Sequence, residues 1–197
     1  MTVRTTALRS MIAVAAAIVL TVTGCSPATT ELDAETSQAT LLDQYDLAGL
    51  DARGMIERLD TMAVSERPVD LIASVQPDAL VLTSDEQTTS VPMPSEEFYL
   101  SLAPYESQTH DCYFHSLTTC LGELQNEEMR VTVTDQATGH TVMDETRTTY
   151  DNGFIGIWLP QGMTGMLTVE HDGKTATTAI STENDDVLTC LTSLRLA

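Results

Sequence analysis

The order of apolar and polar positions divides the chain into three textures. Met11 to Val22 (MIAVAAAIVLTV) is a run of 12 residues with almost no polar interruption, preceded by Arg4 and Arg9. Such a run is short for a bilayer-spanning helix, and its charge, length and position are those of an export signal. Ser26 to Ser37 (SPATTELDAETS) is polar with few large apolar residues, which predicts a tether. Beyond it the apolar positions become periodic, first with helical spacing and then with strand alternation.

From Leu41 to Met62 the spacing predicts helix. Leu41, Leu42, Tyr45, Leu47 and Leu50 form one apolar face, and Met55, Ile56, Leu59 and Met62 form another. Gly49-Leu50-Asp51 separates the two, with Asp51 as the expected N-cap of the second helix. Ser65 to Pro68 reads as a break and Val69 to Val75 as a short helix. Asp78 to Thr83 is strand-like, Ser84 to Ser90 is a polar turn, and Val91 to Pro94 is extended because each proline biases its predecessor away from helix. Phe98, Leu100 and Leu102 alternate as on a strand.

From Met129 onward the texture is β. Arg130 to Thr134 and Thr141 to Thr149 alternate, and Gln136 to Gly139 and Asp151 to Gly153 read as turns. Phe154 to Leu159 is the most apolar strand and carries Trp158, expected in the core. Met166 to Glu170 and Thr175 to Ile180 flank Asp172-Gly173, a hairpin signal. The expected fold class is α+β: a short N-terminal helical segment followed by a small antiparallel β-sandwich-like or barrel-like domain. The expected organisation is a signal over residues 1–24, a tether over 25–40, a helical part with short strands over 41–108, and a Cys/His motif plus a β-rich domain over 109–197.

Charge and cysteine content sharpen this picture. Nine Lys and Arg against 29 Asp and Glu give a formal charge of −20, which argues against nucleic-acid binding and against docking on anionic lipid. The apolar run ends at Val22-Thr23-Gly24-Cys25, which resembles the lipobox of bacterial lipoproteins. That resemblance implies a lipid on Cys25 and an extracytoplasmic protein anchored to the bacterial cell membrane. Removing the first 24 of 197 residues leaves 173 and, with two arginines gone, takes the charge to −22. Three cysteines then remain for chemistry, Cys112, Cys120 and Cys190, an odd number in an oxidising compartment.

Two of the three lie within Thr109-His-Asp-Cys-Tyr-Phe-His-Ser-Leu-Thr-Thr-Cys120, together with His110 and His115. On a helix Cys112, His115 and Cys120 fall within about 140° of arc. On a strand the cysteines share one face and His115 points away. A bend through Ser116 to Thr119 brings all three together. The segment has neither CxxC nor HxxxH, so it matches no common zinc pattern. Thiolates with an imidazole form a soft donor set that suits Cu(I), with zinc as a weaker fit. The structural alternative is a disulfide, either Cys120–Cys190 closing a long loop or Cys112–Cys120 closing a small one. Spacing alone leaves these readings open.

Other candidates carry less. Met163-Gln-Gly-Met166 and Met93 offer thioethers, but methionines at such sites usually pack. His140 and His171 stand beside turns and are expected at the surface. Adjacent acidic pairs such as Glu96-Glu97 and Asp144-Glu145 diverge on any regular element, so they form no catalytic dyad.

The order Cys112-Tyr-Phe-His115-Ser-Leu-Thr-Thr-Cys120, with Cys190 in a Thr-Cys-Leu-Thr context near the C-terminus, resembles the CueP family of periplasmic copper-binding proteins. The resemblance runs from about residue 40 to 197. It implies copper ligation by Cys112, His115, Cys120 and Cys190, with His110 and Asp111 as second-tier candidates. It also implies a non-enzymatic role as a metallochaperone or copper-tolerance factor, with stoichiometric reduction of Cu(II) by the thiols as an accompanying step. The implied partners are the copper ion, a protein acceptor of copper and a thiol–disulfide reductant; a homodimer stays open. The lipid anchor departs from the freely diffusing members of that family. The rival readings are a thiol–disulfide redox protein and a binding lipoprotein with an inert Cys120–Cys190 disulfide. The absence of CxxC counts against the first.

Overall fold

The computed structural model describes residues 38–84, 87–184 and 186–197. The expected export signal, lipidation at Cys25 and most of the tether lie outside the described residues. The fold is α+β, with two short helices followed by mostly antiparallel strands in three sheets.

Helix α1 covers residues 38–44 and α2 covers Ala52–Asp60. Asp51 caps α2 as expected, its carboxylate accepting the Gly54 N–H at 2.8 Å. A 3₁₀ turn follows at Val64–Glu66. Strands β1 (Leu71–Val75), β2 (Ala79–Ser84) and β3 (Thr88–Pro92) then form successive hairpins. The short helix expected over Val69 to Val75 is strand β1 instead. Leu71, Ala73 and Val75 are buried while Ile72 is half exposed, so the segment has a period of two. Pairing with β2 on one side and with β5 (His115–Ser116) on the other satisfies its backbone. The resulting sheet runs β3-β2-β1-β5. β3 also begins at Thr88, inside the stretch expected as turn.

The second half forms β6 (Glu128–Asp135), β7 (Thr141–Thr148), β9 (Thr164–His171) and β10 (Lys174–Ser181) in a sheet of order β10-β9-β6-β7. Asp172 and Gly173 both have positive φ (48° and 76°), as a tight β9–β10 hairpin requires. β4 (Glu97–Leu102) and β8 (Ile155–Pro160) pair antiparallel, and β11 (Cys190–Leu191) adds to β4 in parallel. This three-stranded sheet lies between the other two layers. Among the described residues the sheets stay separate and no closed barrel forms, so of the two expected architectures the sandwich-like one holds.

The central sheet serves two cores. Phe98, Leu100, Leu102, Ile155, Ile157 and Leu159 pack toward the β10-β9-β6-β7 sheet with Val131, Val133, Leu167 and Val169. The alternate positions face α2 and the first sheet, where Tyr99 and Trp158 join Met55, Ile56, Leu59, Leu80 and Leu82. Trp158 is only half buried: its ring lies 4.8 Å from that of Tyr99 and under the Arg53 guanidinium, 4.0 Å away. Met163 is buried in the first core and Met93 packs partly against the second. His140 is exposed as expected. The His171 ring is not: its side chain is 9% exposed and its Nδ1–H donates to the Glu128 carbonyl at 3.0 Å.

A candidate soft-metal centre

The Cys/His segment is neither helix nor long strand. Its two-residue strand β5 hydrogen-bonds to β1, with Val75 opposite His115. The Thr189 and Cys190 N–H groups both donate to the Tyr113 carbonyl, at 2.9 and 3.1 Å. The chain then turns back on itself. The Cys120 N–H donates to the Ser116 carbonyl at 3.1 Å, the Thr119 hydroxyl donates to Ser116 Oγ at 2.7 Å, and the Ser116 N–H points at Cys120 Sγ, 3.4 Å away. This is the bend through Ser116 to Thr119 that the sequence left open.

All four expected site residues meet there. Cys112 and Cys190, 78 positions apart in sequence, form a disulfide with their Cα atoms 5.6 Å apart, and among the described residues Cys120 is the free thiol. Both disulfide pairings considered from the sequence, Cys120–Cys190 and Cys112–Cys120, are therefore corrected. The reason is topological: β11 pairs with β4 and delivers Cys190 beside Cys112, a long-range contact that spacing does not encode. Cys120 Sγ lies 3.6 Å from Cys112 Sγ, and Cys190 Sγ lies 3.8 Å from His115 Nδ1. The ligand atoms of His115, Cys120 and Cys190 are within 4.8 Å of one another, and so are those of His110, Cys112 and Cys120. Ala103 and Phe154 pack against the sulfurs, and the Phe154 ring stands 4.4 Å from that of His115. Asp111 takes no part in either group.

The residue that organises this site is Asp60, which sequence reasoning passed over. It ends α2 and is wholly buried, although a carboxylate is disfavoured at a helix C-terminus. Four side chains compensate. Tyr99 O–H donates to Asp60 Oδ2 at 2.6 Å and Ser101 O–H at 3.4 Å, while Asn152 Nδ2–H donates to Oδ1 at 2.8 Å. His115 Nε2 lies 3.0 Å from Oδ1. Gly156, opposite Ser101 on β8, leaves room for the Tyr99 ring; any side chain there would collide with the phenol oxygen. A signal was present in the sequence. Asp60 continues the buried stripe Ala52, Met55, Ile56, Leu59, where an apolar residue belongs.

Electrostatics follow from this pairing. Burial disfavours the Asp60 carboxylate, but His115, Tyr99 and Asn152 bring its pKa below the ordinary range. Burial likewise disfavours the imidazolium, yet the Asp60 charge and hydrogen bond raise His115 to about 9. Burial raises the Cys120 thiol and His115 more than reverses that, bringing it down to about 7. Buried Tyr99, beside the Asp60 charge, is pushed well above its usual value, so it stays a donor. Because Nε2 carries the proton shared with Asp60, Nδ1 is the nitrogen directed at sulfur. With Cys112–Cys190 reduced, the arrangement offers three sulfurs and an imidazole, His115 and Cys190 buried and Cys112 and Cys120 half-buried, a donor set for a soft cation.

Fold and donor set define a small domain with a cluster of sulfur and nitrogen donors that fits a soft metal. The comparisons with known proteins identify its kind. A family model described as periplasmic copper-binding protein CueP matches residues 54–195. A solved structure titled "Crystal Structure of S.CueP" is 42% identical and superposes with a TM-score of 0.77, covering 82% of this chain and 98% of that one. No curated protein matches the chain significantly. The chain belongs to the CueP family of periplasmic copper-binding proteins.

Proposed function

We propose that the protein is an extracytoplasmic copper-binding protein that captures Cu(I) through Cys112, Cys120 and Cys190, with His115 ligating through Nδ1. The observation that carries this reading is the convergence of the Cys120 and Cys190 sulfurs on a fully buried imidazole whose other nitrogen is held by Asp60, with Cys112 Sγ 3.6 Å from Cys120 Sγ. Such a carboxylate–histidine pair fixes ring orientation and tautomer toward a metal. Capture requires the reduced chain, so a dithiol reductant opens Cys112–Cys190 first. In the reverse sense, two thiolates joining as that disulfide release two electrons and reduce two Cu(II) to two Cu(I). The role is stoichiometric, with the ion passed by ligand exchange to a protein acceptor. A lipid on Cys25 keeps the protein at the membrane, so the acceptor comes to it.

Titrating the fully reduced chain with Cu(I) against a competing chelator tests the assignment. Tight binding is expected, lost when all three cysteines become serine; binding that survives the triple substitution overturns it. One observation favours a second reading, a thiol–disulfide redox protein: Cys120 stands 3.6 Å from a closed disulfide with a lowered thiol pKa. Trapping of a mixed disulfide on Cys120, with no Cu(I) affinity, selects that reading.

A further inference from the structure

The buried donors raise a question of access. His115 and Cys190 are 0% and 1% exposed, so an ion cannot reach them directly from solvent. Cys112 and Cys120 are half buried. On the outer side stands His110. It lines an open cleft of about 410 Å³ with Gln108, Thr109, Leu121, Gly122 and Glu123. Its Nε2 is buried without a hydrogen bond of ordinary geometry, which is costly for a ring nitrogen, while the ring itself helps to lower the Cys120 thiol. Its ligand nitrogen shares a 4.8 Å sphere with Cys112 and Cys120 sulfurs. The ring is packed at an edge angle to Phe154, with centroids 6.2 Å apart.

We infer that His110, Cys112 and Cys120 form an outer receiving position for Cu(I), from which the ion passes to His115, Cys120 and Cys190. This deepens the copper reading and rests on it. The two donor sets have the same composition, one imidazole and two thiolates, and they share Cys120. The ion therefore stays on Cys120 while its other partners change. The Cu–N bond to His110 breaks as the bond to His115 Nδ1 forms, and the Cu–S bond to Cys112 breaks as the bond to Cys190 forms. Copper keeps its oxidation state, and the protons that leave Cys190 Sγ and His115 Nδ1 as these atoms take the ion are taken up by the freed Cys112 thiolate and His110 nitrogen.

The cleft mouth favours a cation. Glu123 carries its negative charge there, accepting from the Ser107 hydroxyl and from the Glu106 and Ser107 N–H groups at 2.8 and 3.0 Å. Those bonds also fix the loop that presents His110. A charged group at the mouth of a cleft raises the local concentration of counter-ions.

Stopped-flow transfer of Cu(I) from a coloured Cu(I)–bicinchoninate complex to the fully reduced chain separates an entry ligand from a storage ligand. His110→Ala and the isosteric His110→Gln are expected to slow both loading and chelator-driven extraction about tenfold or more, with the equilibrium affinity falling less than for His115→Ala. His115→Ala is expected to weaken affinity and speed extraction. Surface His140→Ala serves as the control, and formation of Cys112–Cys190 on oxidation, mapped by mass spectrometry, verifies the fold of each variant. Loading and extraction of both His110 variants at the wild-type rate overturns the inference. So does a loss of affinity matching His115→Ala at unchanged loading rate, which makes His110 an ordinary storage ligand. If the wild-type chain takes no Cu(I) at all, the copper reading itself fails, a separable result.

Discussion

The two faces of the central sheet are made by the same strands and do different work. Toward the β10-β9-β6-β7 sheet, β4 and β8 present Phe98, Leu100, Leu102, Ile155, Ile157 and Leu159. Toward α2 and the first sheet, the intervening positions are Tyr99, Ser101, Gly156 and Trp158. The first face is apolar throughout and stabilises by burial alone. The second holds a phenol, a hydroxyl and a glycine gap against a buried carboxylate, and its value depends on every polar group being partnered. A strand's period of two lets one segment supply both. Stability can reside on one side and a reactive, proton-sensitive site on the other.

The faces are expected to separate under mutation. The largest effect falls on the link between them. Replacing Cys112 and Cys190 together by serine removes a 78-position closure and is expected to lower stability by about 4–5 kcal/mol on the chain-entropy account, read by denaturant unfolding. Leu159→Ala, on the apolar face, is expected to lose about 2–5 kcal/mol while the folded protein keeps its Cu(I) affinity. A matching fall in affinity would mean the faces are not independent.

Asp60→Asn, on the polar face, breaks a buried pair and is expected to lose about 3–5 kcal/mol. It differs from Leu159→Ala in lowering Cu(I) affinity about 10–100-fold. It also moves the pH midpoint of Cys120 alkylation in the oxidised protein up from about 7 toward its ordinary 9.0, because His115 loses the charge that holds its proton. An unmoved midpoint would show that Asp60 does not act through His115.

A smaller effect is a change of pH profile. The raised His115 contributes stability that is complete below its ordinary 6.5 and lost as pH rises through about 9. The lowered Cys120 contributes stability that is complete above 9.0 and lost as pH falls through about 7. Between about 7 and 9 the two slopes oppose, so the pair leaves wild-type stability nearly flat. Cys120→Ser removes one slope, and stability is then expected to decline as pH rises from 6.5 toward 9, measured by denaturation across that range. A flat profile in this variant would refute the imidazolium–thiolate pairing. The smallest effect is Arg53→Met beneath the solvent edge of Trp158. It is expected to cost about 0.5–1 kcal/mol and to change the emission of the single tryptophan without touching copper.

Much of the fold was legible because it is local. The Asp51 cap, the alternation of β4 and β6, the apolar run of β8, and the Asp172-Gly173 hairpin each follow from residues close in sequence. The short helix expected at Val69 to Val75 failed because its seven residues fit either period, and partner strands on both sides decided for β. The two-residue strands β5 and β11 have no periodicity to read. The motif residues Cys112, His115 and Cys120 could be singled out by composition, but Asp60 could not be tied to them. It lies 55 positions from His115, and its one local sign was an acid on an apolar stripe.

By itself the sequence determined an acidic chain of α+β type, and beyond its expected export signal and Cys25 three cysteines with a histidine between two of them. Those are properties of composition and short-range spacing, and chemistry at that range depends on neighbours along the chain. Only the tertiary structure decided which cysteines pair, which nitrogen of His115 faces sulfur, and which carboxylate holds the other. Those choices rest on contacts across 39 to 114 positions (Tyr99 to Asp60, Thr189 to Val75). Sheet topology brings such groups together, and burial then makes their partnership obligatory.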